Sequence, residues 1–179
     1  MSEEAEPFFH RDGDRLVPTR QAKGPWKANS LHGRVAAGLL AAEIERCHGD
    51  PAFLPVRLTV DMYRAPTMEP LHVETRVVRN GQRIRVIDAD LMSEGRSAGR
   101  ATCQLLRRGE APEGQAWRGD SWDVPGPEAF ATAEAGPESM FGAWDLRWIS
   151  GRLGEIGQRR VWMRETRDMI GGEALTPFL

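Results

Sequence analysis

His32 and Gly33 stand at the head of a predicted helix, with Trp26 and Asn29 ahead of them and Arg34 behind. A helix N-terminus presents unpaired backbone N–H groups and the positive end of the helix dipole. It is therefore suited to meet negative charge that grows on an attacked carbonyl oxygen. A glycine at that point lets the backbone approach closely, whereas the side chain of Arg34 would crowd the approach. The plainer reading is that Asn29 or Ser30 caps the helix and His32 bonds a loop carbonyl. Farther along stands Glu43, the one charged residue on the apolar side of the helix. A carboxylate in that position must be paired or hold its proton more tightly. Glu43 is thus either a general base or the structural partner of an arginine such as Arg57.

The helix that positions these groups spans about His32 to His48, with Gly49 and Pro51 as its stop. At 100° per residue, Val35, Ala36, Leu39, Leu40, Ile44 and Cys47 share one arc, the predicted core face. The opposite side carries Arg34, Ala37, Gly38, Ala41 and Glu45, small enough for another backbone to come near. After Pro55 the apolar period changes from 3.6 to two, and strands are expected over 56–63, 71–79, 83–93 and 97–107. Asn80-Gly81 is a two-residue hairpin signal, and Glu94-Gly95 marks another turn. The shift of apolar phase from Ile84 and Val86 to Ile87, Ala89 and Leu91 implies a bulge or two buried faces. Before the helix, Phe8-Phe9-His10 and Arg15-Leu16-Val17 flank Asp12-Gly13-Asp14 as a further hairpin. Glycines and prolines then punctuate 109–139, and strands are expected over Met140–Ser150 and Gln158–Glu165. One long helix needs a meander to cover its stripe, so the fold class is α+β: an antiparallel sheet wrapped around a single helix.

Composition narrows the functions. The 179 residues carry 24 Lys and Arg against 26 Asp and Glu, a formal net charge of −2, without the basic excess of a nucleic-acid binder. No apolar run approaches the roughly 18–20 residues of a membrane span. The acidic first residues have no signal-peptide character, and two cysteines, Cys47 and Cys103, are read as reduced core residues. A cytoplasmic location, no bound metal and no cofactor are expected. Asp12-Gly13-Asp14 lacks the remaining ligand spacing of a calcium loop.

An ordered set of segments then resembles a family. Phe9…Gly13-Asp14…Leu16-Val17-Pro18-Thr19, Gly24-Pro25-Trp26, His32-Gly33, Ala37-Gly38-Leu39-Leu40-Ala41, Pro55–Asp61 and Arg79–Ile84 are similar to the acyl-CoA thioesterase superfamily of hot-dog folds. The likeness is greatest to double hot-dog proteins related to acyl-CoA thioesterase II. It implies an N-terminal hot-dog domain at 1–108, a linker at 109–139, and the first strands of a second repeat at 140–179. Pairing of hot-dog sheets into a homo-oligomer is implied as well, with acyl-CoA as the ligand. Asn29-x-x-His32-Gly33 also resembles the Asn-x-x-His-Gly-Gly of single-domain thioesterases. Here Arg34 replaces the second glycine, and Ala41 stands nine positions after His32, where that family has its acid. In the double type the acid lies in the second repeat, so the main one is expected beyond Leu179. The resemblance makes Glu43 and His32 the candidates for catalysis and Trp26, Asn29, Gly33 and Arg34 for substrate binding. Arg57, Arg64, Arg83 and Arg85 could meet coenzyme A phosphates or form a solvated face. Trp26, Trp144, Trp148 and Trp162 could wall an acyl tunnel or fill cores. The expected activity is hydrolysis of an acyl-CoA thioester; the alternative is a non-catalytic acyl-thioester-binding or assembly module.

Overall fold

The computed structural model describes residues 6–110, 113–115, 117, 119, 122–134, 142, 144–173 and 176. The chain divides into one unit of residues 1–109 with 167–179 and a second of residues 110–166.

The first unit opens on β1 (Phe9–Asp12) and β2 (Arg15–Pro18), joined by the turn Gly13-Asp14 with Gly13 at φ +58°. A 3-10 turn, Arg20–Ala22, leads toward α1, Gly33–His48. The helix begins one residue later than the sequence pattern implies, and its N-cap is His32 rather than Asn29 or Ser30. It is rich in Ala, Leu and Glu, good helix formers, and contains no proline.

The meander follows as β3 (Phe53–Met62), β4 (His72–Asn80), β5 (Ile84–Ser93) and β6 (Arg96–Arg107). These form one antiparallel sheet in the order β3-β6-β5-β4. Val35, Ala36, Leu39, Leu40 and Ile44 of α1 are buried, as are Ile87, Ala89 and Leu91 of β5 and Ala101, Cys103 and Leu105 of β6. Helix and sheet close on each other along these residues, which is the hot-dog arrangement. Burying each such leucine or isoleucine stabilises by about 1.5–3 kcal/mol. β3 starts earlier than the alternation implies and runs through Pro55, where the register shifts. Proline has no N–H for a ladder, and an edge strand with a bulge is where a sheet accepts it.

Several local expectations are corrected. No register shift falls at the phase change itself: β4 shifts between Val77 and Arg79, and β5 shifts against β6 between Leu91 and Met92, while Ile84 and Val86 are half-buried on the outer face. Asn80 pairs with Arg85, so the connection is longer than two residues, and Gly81 does not take a positive φ. Gly81 is instead needed for closeness: a Cβ there would lie 2.8 Å from the Ile84 carbonyl oxygen. The two-residue turn with both centres at positive φ is Glu94-Gly95, at 52° and 71°. Cys47, in the last turn of α1, is exposed, and of the two cysteines only Cys103 is in the core. Burial there pushes the Cys103 thiol up to about 11, so it stays protonated.

Residues 168–171 return to β1. Asp168 and Met169 carbonyls accept from the Phe8 and Phe9 amides at 3.0 Å each, and the Gly171 amide donates to the Phe9 carbonyl at 2.9 Å. The Met169 methyl lies directly over Gly38, where a Cβ would displace it, and Ala41 is buried. The small face of α1 is therefore covered by another stretch of the chain, the close approach that its small residues allow.

The second unit contains the hairpin of β7 (Trp144–Ser150) and β8 (Arg160–Glu165) and a 3-10 turn at Pro127–Ala129. Asp145 is gripped by Arg147 at 2.9 and 3.1 Å. Of the strand expected from Met140, residues 140, 141 and 143 lie outside the described residues, as do the final residues 177–179. Among the described residues, no helix is long and apolar enough to cross a membrane.

Candidate functional site at the start of the central helix

The first turn of α1 is built by the loop before it. The His32 amide donates to the Ala22 carbonyl at 2.9 Å, and the Leu31 amide donates to the Pro66 carbonyl at 2.9 Å. These two bonds hold His32 extended, at φ −73° and ψ 136°, so its ring turns back onto the helix. Nδ1 accepts from the Arg34 amide at 3.2 Å. The His32 carbonyl takes the amides of Val35 and Ala36 at 3.0 and 3.1 Å. No described residue accepts from the Gly33 amide. Met62 of β3 passes over Gly33, with its sulfur 3.3 Å from where a Cβ would be.

Burial first, and then the charge of Arg34, hold His32 below its ordinary value of 6.5. It is neutral near pH 7. With Nδ1 serving as acceptor, the neutral ring carries its proton on Nε2. The first turn thus carries a backbone N–H at the positive end of the helix dipole and a ring N–H on the residue that caps it. It offers no carboxylate of its own helix: Ala41 is 2% exposed and packed in the core.

The other sequence candidates are dispersed. Asn29 accepts from the Met68 amide at 3.3 Å and Ser30 donates to the Lys27 carbonyl at 3.2 Å, so both brace the loop. Trp26 is 83% exposed. The Arg34 guanidinium lies 5.1 Å from the Phe8 ring centroid. Arg57 and Arg83 are exposed, and Arg85 pairs with Asp50 at 2.8 Å. Trp144 bonds Glu165 at 2.8 Å within the β7–β8 hairpin, and Trp162 packs against Trp122 in a tilted pair with centroids 5.0 Å apart.

Glu43 is 3% exposed and held between two guanidiniums. Arg11 of β1 reaches Oε1 at 2.5 Å, and Arg46, one turn on, reaches Oε2 at 2.7 Å. Arg11 also holds Glu173 at 3.0 Å, which ties the returning segment to the helix. Burial alone would raise the Glu43 carboxyl; the hydrogen bonds from Arg46 and Arg11 outweigh it and hold the group below its ordinary range. A carboxylate so held is a weak base. Eleven residues of helix also separate it from His32 by about 16 Å along the axis. The i, i+3 spacing to Arg46 is legible in the sequence; Arg11 and Glu173, in place of Arg57, are not, because they reach Glu43 only through the fold.

Comparison with known proteins accords with this geometry. Residues 22–109 match the family described as acyl-CoA thioesterase N-terminal domain. No curated protein matches the chain. A solved hot-dog protein of unknown function from Alicyclobacillus acidocaldarius is 21% identical, with a TM-score of 0.62 over 88% of this chain and 60% of its own. A protein from Novosphingobium aromaticivorans, provisionally named a thioesterase, is 18% identical with a TM-score of 0.65 over 90% of this chain and 66% of its own. The tesB protein of Mycobacterium avium subspecies paratuberculosis is 16% identical with a TM-score of 0.58 over 88% and 57%. The chain therefore spans less than two thirds of the length of these structures, and at such identities they establish the fold alone. Residues 22–109 are thus similar to the acyl-CoA thioesterase N-terminal domain, and the chain shares the hot-dog fold of these structures.

Proposed function

We propose that this chain acts in hydrolysis of an acyl-CoA thioester to the free acid and coenzyme A. The first turn of α1 meets the thioester carbonyl. Gly33 presents its amide, His32 its ring N–H, and Asn29, Arg34 and Trp26 flank the entering ligand. The observation that carries this reading is the His32-capped turn, with the Gly33 amide left without a described acceptor inside the matched domain. The base that activates water comes from a second hot-dog unit, opened here by the β7–β8 hairpin. Ala41 at the family's acid position and the paired state of Glu43 support that division. The outer edge of β3 supports pairing with another copy, since only β6 bonds β3 among the described residues. Free Cys47 and Cys103 favour a reducing, cytoplasmic setting.

The test is steady-state hydrolysis of an acyl-CoA panel beside gel filtration with light scattering. The expected result is binding of acyl-CoA with a rate lower by about 10² to 10⁴ than a complete enzyme, for want of a positioned base. A monomer turning over faster than about 1 per second overturns the division of labour, and loss of that turnover in Glu43→Gln then makes Glu43 the base. The second reading is a non-catalytic thioester-binding or assembly module. Arg34 in the close-approach position and Ala41 favour it, and failure to bind any acyl-CoA would remove the thioester from the function altogether.

A further inference from the structure

At the opposite end of α1 from His32, the sheet register gathers a row of arginines. Asn80 of β4 pairs with Arg85 of β5, and Arg107 of β6 pairs with Phe53 of β3. The Arg107 amide donates to the Arg83 carbonyl at 2.9 Å, and the Arg79 guanidinium folds over Gly81 in the connecting turn. Arg79, Arg83, Arg85, Arg107 and Arg108 thus share one end of a chain whose formal net charge is −2. Among the described residues, Arg85 pairs with Asp50 at 2.8 Å and Arg107 feels the charge of the same carboxylate; Arg79, Arg83 and Arg108 are exposed and have no carboxylate partner. Arg85 is fixed in place, its guanidinium 3.9 Å from the Phe53 ring centroid and its Nε buried without an acceptor. Beside it opens a cavity of about 390 Å³, with Val77 and Ile87 as apolar wall and His48, Asn80 and Asp50 as polar rim.

We propose that this arginine end binds a phosphorylated small molecule of nucleotide size, at a site separate from the first turn of α1. Three adjacent strands bring the arginines across about 10 Å, a span that suits a diphosphate better than a single phosphate. Planar guanidiniums grip phosphate oxygens in pairs, and a site of unpaired arginines beside one pre-ordered member loses little entropy on binding. The cavity falls within the usual range of small-molecule sites, about 300–1,000 Å³, and its apolar wall suits a flat ring. An acidic protein would need no such cavity. The inference does not rest on the thioester reading, because the site lies about 24 Å from Gly33 along the helix axis. The diphosphate could belong to a free nucleotide or to the nucleotide end of coenzyme A.

Isothermal titration of the full chain with inorganic pyrophosphate, ADP and coenzyme A tests it, at matched ionic strength. ADP should bind, and more tightly than pyrophosphate. In Arg83→Glu/Arg107→Glu affinity should fall about tenfold or more, one charged hydrogen bond or better. It should fall less in Arg83→Gln/Arg107→Gln and stay unchanged in Arg15→Glu/Arg96→Glu, whose arginines lie on other turns. Coenzyme A binding that the same double variant weakens names the thioester carrier as the source; ADP binding with coenzyme A excluded names a free nucleotide. Either supports the site. Absence of ADP and pyrophosphate binding, equal affinity in the glutamate double variant, or binding of polyglutamate with ADP inert would overturn it.

Discussion

The two halves of the central helix differ in how they are finished. At the first turn of α1 the groups are backbone amides, one glycine and a histidine kept neutral. In the second half a buried carboxylate is locked between Arg11 and Arg46, and Arg11 carries the lock on to Glu173. The first turn leaves donors available, whereas Glu43, Arg11, Arg46 and Glu173 hold three separate segments together. A charge that is fully engaged in tying β1, α1 and the 168–173 segment has no proton affinity to spare for chemistry. The locked carboxylate and the donors of the first turn are about 16 Å apart along the helix axis.

Leu40→Ala removes the apolar anchor on which both halves depend. It should destabilise by about 2–4 kcal/mol, as a large-to-small change at a site 1% exposed. Denaturant melts check this, and a change under about 0.5 kcal/mol would mean the buried face is misassigned. Glu43→Gln should cost about 2–3 kcal/mol. That is less than the roughly 3–5 kcal/mol for a fully buried pair, because the Arg11 and Arg46 side chains are 26% and 49% exposed and can turn to water. Retained acyl-CoA binding in that variant would sharpen the contrast; loss of binding with unchanged stability would reverse it. His32→Ala should cost about 1 kcal/mol as a lost N-cap, with a larger effect on acyl-CoA affinity than on the melt.

Acid titration separates the two ends without mutation. Both groups have folded values below their unfolded ones, so the unfolded chain binds more protons and stability rises with pH through each window. The His32 contribution is present above its ordinary value of 6.5 and is lost as the pH falls below it. The Glu43 contribution is present above 4.5 and is lost as the pH falls further, through its lowered value. Melts from roughly pH 3 to 8 should therefore lose stability in both windows, the upper loss smaller in His32→Ala, where His48 remains, and the lower loss smaller in Glu43→Gln, where Asp50 and Asp145 remain.

Much of the frame is legible in the chain because its signals are local. The 3.6-residue stripe from Val35 to Ile44 and the alternation of β5 and β6 report which atoms leave water, and α1 and the meander follow within a few residues. Turn chemistry was less certain. Asn80-Gly81 looks like the tightest hairpin, yet the bulge at Val78 offsets the register and a longer loop closes there. At the candidate site, His32 and Gly33 were visible as a pair, but the cap was not. The ring turns to the helix only because the Ala22 and Pro66 carbonyls fix the loop beneath it.

The chain by itself determined the α+β class, the single long helix, the strand order of appearance, and the absence of an acid at Ala41. Each depends on residues close in sequence, where helix and strand periods act directly. Only the tertiary structure decided that Arg11 and Glu173, 162 residues apart, meet at Glu43, that Met169 fills the notch over Gly38, and that five arginines share one end of the sheet. Those contacts join segments whose spacing along the chain carries no period. Their partners are selected by loop closure and shape, which no local pattern encodes.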